Sequence, residues 1–209
     1  MAPRQIASTL LRFLEVLADL CMLSAYWLVC SLPILTLGAA SSALYYTVVK
    51  VVRQEEGTLT RTFFSAFRGN LKQGLLPSLL FAAACSLIAA YWLLGEAISL
   101  DAGIFIAYWL LVVLLSILTI GVFSFVFPLI ARFRQGTWAM LRSAFSLSLG
   151  YPLKTFGLVC LAAIAVWLLL RAPILMLLLP GVHALLSSLV LEPVFAKHMA
   201  KTTTPDAKR

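Results

Sequence analysis

The stretch "FLEVLADLCMLSAYWLVCSLPILTLGAASSALYYTVVKVVR", residues 13–53, decides the fold. Apolar residues fill Phe13 to Leu32 and Pro33 stops the run. "PILTLG" then supplies a proline, a hydroxyl and a glycine, the ingredients of a chain break, before helical composition resumes up to Arg53. A hydrocarbon core about 30 Å thick takes roughly 20 apolar residues per helical pass, so the stretch is far longer than one crossing and barely enough for two. It is either one long bent helix or a tight hairpin.

Outward from it, the later spans are plainer. Residues 74–94, 104–129, 153–170 and 174–194 are each long and apolar, and only "RAP" separates the last two, which makes them a close antiparallel pair. Pro77, Pro128 and Pro180 fall near span ends or invite kinks. With 209 residues, 62% of them hydrophobic and 11% charged, and a mean hydropathy of +1.01, the chain is too apolar for a water-facing shell. The expectation is an all-α polytopic membrane helix bundle, one membrane domain over 1–209. It has five or six transmembrane helices, two interfacial amphipathic helices at 58–72 and 137–148, and a tail from 195 to 209.

Counting lysines and arginines in short loops chooses between five and six. Six crossings put Arg4, Arg12, Lys50, Arg53, Arg61, Arg68, Lys72, Arg132, Arg134, Arg142, Lys154, Lys197, Lys201, Lys208 and Arg209 in the cytoplasm and leave only Arg171 outside. Five crossings move Arg4 and Arg12 to the wrong side. Six is therefore preferred, with the short second helix as half of a re-entrant element being the other reading. Both put the C-terminus in the cytoplasm.

The net charge of +8 is spread over these loops with no aromatic platform or basic stripe, so it sets topology and does not mark a nucleic-acid partner. Cys21, Cys30, Cys85 and Cys160 lie in apolar runs without metal-ligand or CxxC spacing and read as small core residues. Arg4 followed by an apolar run imitates a secretory signal, but Glu15 and Asp19 interrupt the run, so an uncleaved first helix is expected.

Two cytoplasmic stretches repeat a phrase: "RQEEGTLTRTFFSAF" at 53–67 and "RQGTWAMLRSAF" at 134–145. In the first, Leu59, Phe63, Phe67 and Leu71 recur every four residues with Phe64 beside them. Arg61, Ser65, Arg68 and Lys72 gather opposite. That pattern predicts a helix lying flat, phenylalanines in the acyl boundary and cations toward anionic headgroups. The second has Trp138, Leu141 and Phe145 against Arg142, Ser143 and Ser146. Gly57–Thr58 and Gly136–Thr137 each suit a sharp turn and an N-cap. The distance from glycine to "SAF" is one residue shorter in the second copy, which weakens a duplication against chance or shared topological need. Such helices serve as elbows that anchor a bundle, or as surfaces on which transport permeases dock soluble subunits.

The residues "SLPILTLGAASSALYY", "VRQEEG" and "FFSAFRGNLKQ", with a weaker "FPLIARF", resemble the YesL family of bacterial integral membrane proteins over about half of the chain. The motif positions are Pro33, Thr36, Gly38, Ala43, Tyr45, Arg53, Glu56, Gly57, Phe64, Phe67 and Asn70. The resemblance implies a multi-pass plasma membrane protein with no catalytic residues to carry over, and a link to carbohydrate transport. It also places an asparagine where this chain has Ser24, a weaker hydrogen-bonder between helices.

Glu15 and Asp19 are four apart on one helix face, with Arg12 a turn earlier. Intramembrane carboxylates mark ion or proton paths, yet this near the interface an ion pair with Arg12 also explains them. Glu192, ending the last span, is expected to pair with Lys197, His198 or Arg12. His183 reads as a packing residue and the small residues Gly38, Ala39, Ser42 and Ala43 as a close-packing face. No nucleophile and base, phosphate loop or metal-ligand spacing stands out, so no enzyme, cofactor or metal is expected. Two functions remain. One is a non-enzymatic accessory or assembly component, in contact with the lipid bilayer and with transporter subunits through Phe63, Phe67, Arg61, Arg68, Lys72, Trp138 and Arg142. The other is a small secondary transporter or channel coupled through Glu15 and Asp19, with "PILTLG" along its path.

Overall fold

The computed structural model describes the backbone of residues 3–97, 102–133 and 136–203, and side chains within 9–95, 103–133 and 136–197. The side chains of Arg4, Arg134, His198, Lys201, Lys208 and Arg209, used above in counting charge or proposing pairs, lie outside the described residues.

Among the described residues seven α-helices follow one another: α1 (Pro3–Ser31), α2 (Leu37–Thr47), α3 (Leu59–Ala97), α4 (Ala102–Arg132), α5 (Thr137–Gly150), α6 (Pro152–Arg171) and α7 (Leu179–Thr203). A 3₁₀ turn, Ile34–Thr36, precedes α2, a π-helical turn, Val48–Arg53, prolongs it, and a second 3₁₀ stretch, Pro173–Leu177, precedes α7. There is no strand among the described residues. Among the described residues six stretches are long and apolar enough to cross a membrane, and the chain is a multi-pass membrane protein.

Residues 13–53 form the hairpin, not a bent rod. Pro33 ends α1, and the Thr36 hydroxyl lies 2.6 Å from Cys30 O and 2.8 Å from Pro33 O, closing the turn on itself. Helix α2 is the most enclosed element, with Gly38, Ala39, Ala40, Ser42, Ala43, Leu44, Tyr45 and Thr47 all buried. Its small residues let the α3 backbone come close, as small-residue faces do when lipid gives no hydrophobic drive for helix association. Ser78 Oγ accepts from Gly38 N (2.7 Å), and Asn70 Nδ2 donates to Ser42 Oγ (3.1 Å). The two helices thus run antiparallel, with the hairpin tip level with Gly74 to Ser78.

That register corrects the expectation of a separate flat helix at 58–72. The segment is the first part of α3, which runs unbroken through Gly74 and Pro77 for 39 residues. At 1.5 Å per residue this is about 58 Å, and roughly 28 Å of it, residues 79–97, extends past the hairpin tip. Phe63 is 0% exposed, packed with Leu20 and Leu23 of α1, Ala43 and Leu44 of α2 and Val48 of the π-helical turn. Phe67 packs against the same cluster and stacks on Phe63 with centroids 6.4 Å apart. These phenylalanines face protein and not acyl chains.

Helix α5 does not lie flat either. A Cβ on Gly121, eleven residues before the end of α4, would meet Ser148 Oγ at 3.5 Å, so α5 climbs antiparallel beside α4. Met140, Ala144 and Leu147 join the core formed by Phe125, Val126, Leu129 and Ile130 of α4 and Leu191, Val194 and Phe195 of α7. Trp138 is 77% exposed, and Arg142 and Phe145 also face outward. The described parts of the two repeated phrases, 53–67 and 136–145, occupy equivalent places, each leading into a helix that runs antiparallel to the one before it. Their caps differ. Thr58 O accepts from Thr62 N and Gly136 O from Met140 N, both at 3.0 Å, so α3 is capped at the threonine and α5 at the glycine, and "SAF" begins seven residues after the cap in both. Gly136 has no side chain with which to cap α5, and Thr137, expected as the cap, is the first residue of the helix. The one-residue shortening is a shift of the cap and not of the helix face.

Of the cysteines expected in the core, Cys85 is exposed and the other three are half-buried, all as free thiols. Beyond the hairpin tip, at the end remote from the 54–58 loop, Tyr91, Trp92, Tyr108 and Trp109 cluster between α3 and α4, with Trp92 and Trp109 centroids 4.7 Å apart.

Candidate functional site

The start of α1, the 54–58 loop, the last turn of α4 and Glu192 of α7 converge at one end of the bundle, called here the basic end. The π-helical turn brings α2 into it. Gln54 N donates five residues back to Val49 O (3.2 Å), a wide turn of the kind often found at functional positions. Glu55 (φ 59°) and Gly57 (φ 88°) then reverse the chain in the left-handed region, where glycine is at ease and glutamate is not. Arg12 ion-pairs with Glu55 in the open, and an exposed pair of this kind contributes little. Arg12 therefore does not serve Glu15 and Asp19, which have no charged partner among the described residues.

Glu192 lies at the centre of the cluster. Its Oε1 accepts from Tyr45 Oη (3.0 Å) and Arg132 Nε (3.2 Å), and its Oε2 accepts from Arg132 Nη2. The carboxylate pairs with Arg132, not with Lys197 or Arg12 as the sequence leads one to expect. The side chains are only 17% (Glu192) and 32% (Arg132) exposed, and the two-pronged guanidinium geometry fits a carboxylate in a way that lysine does not. One turn away, Arg53 Nη1 donates to Ser188 O and Ser188 Oγ, both at 3.2 Å. Together these bonds clamp α2, α4 and α7 at a single level. Against the clamp lies a small polar cavity of about 260 Å³, walled by Tyr45, Tyr46, Lys50, Gln54, Glu56 and Arg132. Every oxygen of Glu192 is already engaged, so the carboxylate is a fastener and not a free base.

Residues 20–92 match the sequence model of a family described as "Protein of unknown function, DUF624". No curated protein and no solved structure matches the chain. The DUF624 match covers the second half of α1, all of α2 and α3 as far as Trp92. The motif positions inside it have structural work visible at each step. Pro33 and Thr36 make the hairpin turn, Gly38, Ala43 and Asn70 make the α2–α3 seam, and Tyr45 and Arg53 reach α7. Glu56 walls the polar cavity, Gly57 takes the left-handed turn, and Phe64 and Phe67 pack with Phe63 and Tyr26. Ser24, where the resemblance implies asparagine, does bridge helices: it is buried, bonds Leu20 O (2.8 Å) and accepts from Gly181 N (2.9 Å) in the first turn of α7.

Sequence reasoning missed Arg132 and Ser188 as partners. A signal for Arg132 existed, since an arginine and a glutamate ending two different spans at one membrane edge are natural partners. Ser188 offered none. Arg61, Arg68 and Lys72 are exposed on the side of α3 opposite Phe63; Arg61 stands at the basic end and the row climbs about 17 Å along the helix to Lys72. Neither Glu15 nor Asp19 lines the polar cavity or the larger apolar one between α4, α6 and α7.

Proposed function

We propose that this chain is a non-enzymatic component of the bacterial plasma membrane, a YesL-type protein that serves as an accessory or assembly partner of a transport system, with carbohydrate uptake as the associated process. The basic end faces the cytoplasm, because it gathers most of the lysines and arginines. The α1–α2 hairpin enters and leaves from that side. Its tip residues Leu32 and Ile34 are 79% and 62% exposed yet apolar, which suits hydrocarbon and not an outer aqueous surface.

The observation that carries this reading is the exposed row Arg61, Arg68 and Lys72 on a helix whose opposite side is locked into the core by Phe63. A rigid, cationic ridge of this kind presents an acidic soluble partner with preorganised charge. Trp138 and Arg142 on α5 extend the surface. The test is affinity capture from native membranes after mild crosslinking, comparing wild type with the Arg61→Glu/Arg68→Glu/Lys72→Glu variant. Proteins recovered with wild type and lost with the variant, at equal expression and thermal stability, support the reading. Identical recovery from both removes it.

A further inference from the structure

The polar cavity of about 260 Å³ beside the clamp is lined by charges that the clamp does not use. Its walls come from two helix ends and a loop: Tyr46 of α2, Lys50 of the π-helical turn, Arg132 closing α4, and Gln54 and Glu56 of the loop. Glu56 N donates to Lys50 O (3.0 Å) and Gln54 N to Val49 O (3.2 Å), so the loop folds back on the turn and its shape is fixed by backbone bonds. The volume, just under the usual range for small-molecule sites, suits a ligand of modest size.

Lys50 and Glu56 carry opposite charges around one cavity. Yet they form no ion pair with each other or with any other charged group among the described residues. The Lys50 ammonium has the Tyr46 ring for a neighbour, 5.7 Å from its centroid. Arg132 spends Nε and Nη2 on Glu192, which leaves Nη1 over. These unused atoms are open to approach, unlike Trp109 Nε1 and His183 Nε2, which are enclosed and without partners.

The signs of the unused groups select the ligand. An anion alone would lie against Glu56 and a cation alone against Lys50, and like charges brought together oppose binding. A molecule carrying both charges satisfies both. Its anionic part faces an ammonium, the free guanidinium nitrogen and the Tyr46 hydroxyl, more donors than the two oxygens of a carboxylate use well; a phosphate suits them better. We propose that this cavity binds a small zwitterion, a phosphate joined by a short linker to a primary ammonium. The phosphate oxygens accept from Lys50 and Arg132, and the ammonium donates to Glu56. Phosphoethanolamine is the simplest such group, met as a free solute or as a lipid headgroup.

The test uses the full chain in dodecyl maltoside micelles, which bring no phosphate of their own. One arm titrates it by calorimetry with O-phosphoethanolamine, phosphocholine and inorganic phosphate; the other counts phosphatidylethanolamine retained from mixed micelles by native mass spectrometry. Phosphocholine, whose quaternary ammonium has no N–H to donate, should bind about tenfold more weakly than phosphoethanolamine, the effect of one charge-assisted hydrogen bond. Lys50→Gln should weaken every phosphate ligand about tenfold. Glu56→Gln should weaken phosphoethanolamine alone and so erase its advantage over inorganic phosphate. Thermal stability should hold in both variants, since neither side chain belongs to the clamp. Saturation by the free solute, or retention of the lipid alone, supports the proposal and identifies the source, provided that both variants reduce it. No binding in either arm overturns it, as does phosphoethanolamine binding no tighter than phosphate or phosphocholine, or binding that survives both substitutions.

Discussion

Gly74 of α3 meets Gly38 and Ala39 of α2 backbone to backbone: a Cβ built on Gly74 would lie 2.6 Å from Ala39 N and 3.1 Å from Gly38 C. The close approach sets the α2–α3 register, and with it the depth of the hairpin. Gly74→Ala forces the helices apart and is expected to destabilise the protein by about 1–3 kcal/mol, the usual cost of overpacking. Gly69 on the same helix has nothing within 4 Å of its Cβ position, so Gly69→Ala should raise stability by about 0.5–1 kcal/mol through helix propensity alone. Thermal unfolding of the two variants in detergent gives opposite signs.

Arg132 and Glu192 join α4 to α7 in a half-buried, two-pronged pair. Arg132→Met or Glu192→Met alone strands a charge and should cost on the order of 3 kcal/mol. The double methionine variant should recover most of it, since packing replaces a pair that desolvation makes expensive. Arg132→Lys should behave nearer to Arg132→Met than to wild type, because the fork is lost. A double-mutant cycle on unfolding in mixed micelles reads the coupling, and additive losses would show that the pair is idle.

Phe63 and Phe64 are sequence neighbours with different surroundings, 0% and 36% exposed. Phe63→Ala should cost about 3–5 kcal/mol, as for other buried aromatics, and lower the yield of folded protein. Phe64→Ala should leave folding nearly unchanged. Size-exclusion profiles in detergent distinguish the two; a well-folded Phe63→Ala variant would contradict the packing described.

Much of this fold is legible in the residues. Composition fixes the class, and "PILTLG" marks the break because proline, threonine and glycine leave a helix little choice there. Gly57 marks the turn it makes. What the pattern at 58–72 does not reveal is its neighbour. Leu59, Phe63 and Phe67 recur at helical spacing whether they face acyl chains or α1 and α2, and Gly74, which stands between Lys72 and Leu75, serves close packing against α2 and does not end the helix. The clamp is hidden for a related reason, since Arg132 and Glu192 are sixty residues apart. Only the shared level of two span ends hints at them.

The most direct test of the account is the depth and side of the hairpin, read by a membrane-impermeant maleimide on single cysteines in a background where Cys21, Cys30, Cys85 and Cys160 are alanine. Glu56→Cys, in the loop at the basic end, should react only after the cells are permeabilised, and Ile34→Cys, at the hairpin tip, should react neither before nor after. Labelling of Ile34→Cys in intact cells would mean that the tip emerges at the outer surface, and labelling of Glu56→Cys there would mean that the basic end faces outward; either result contradicts the account.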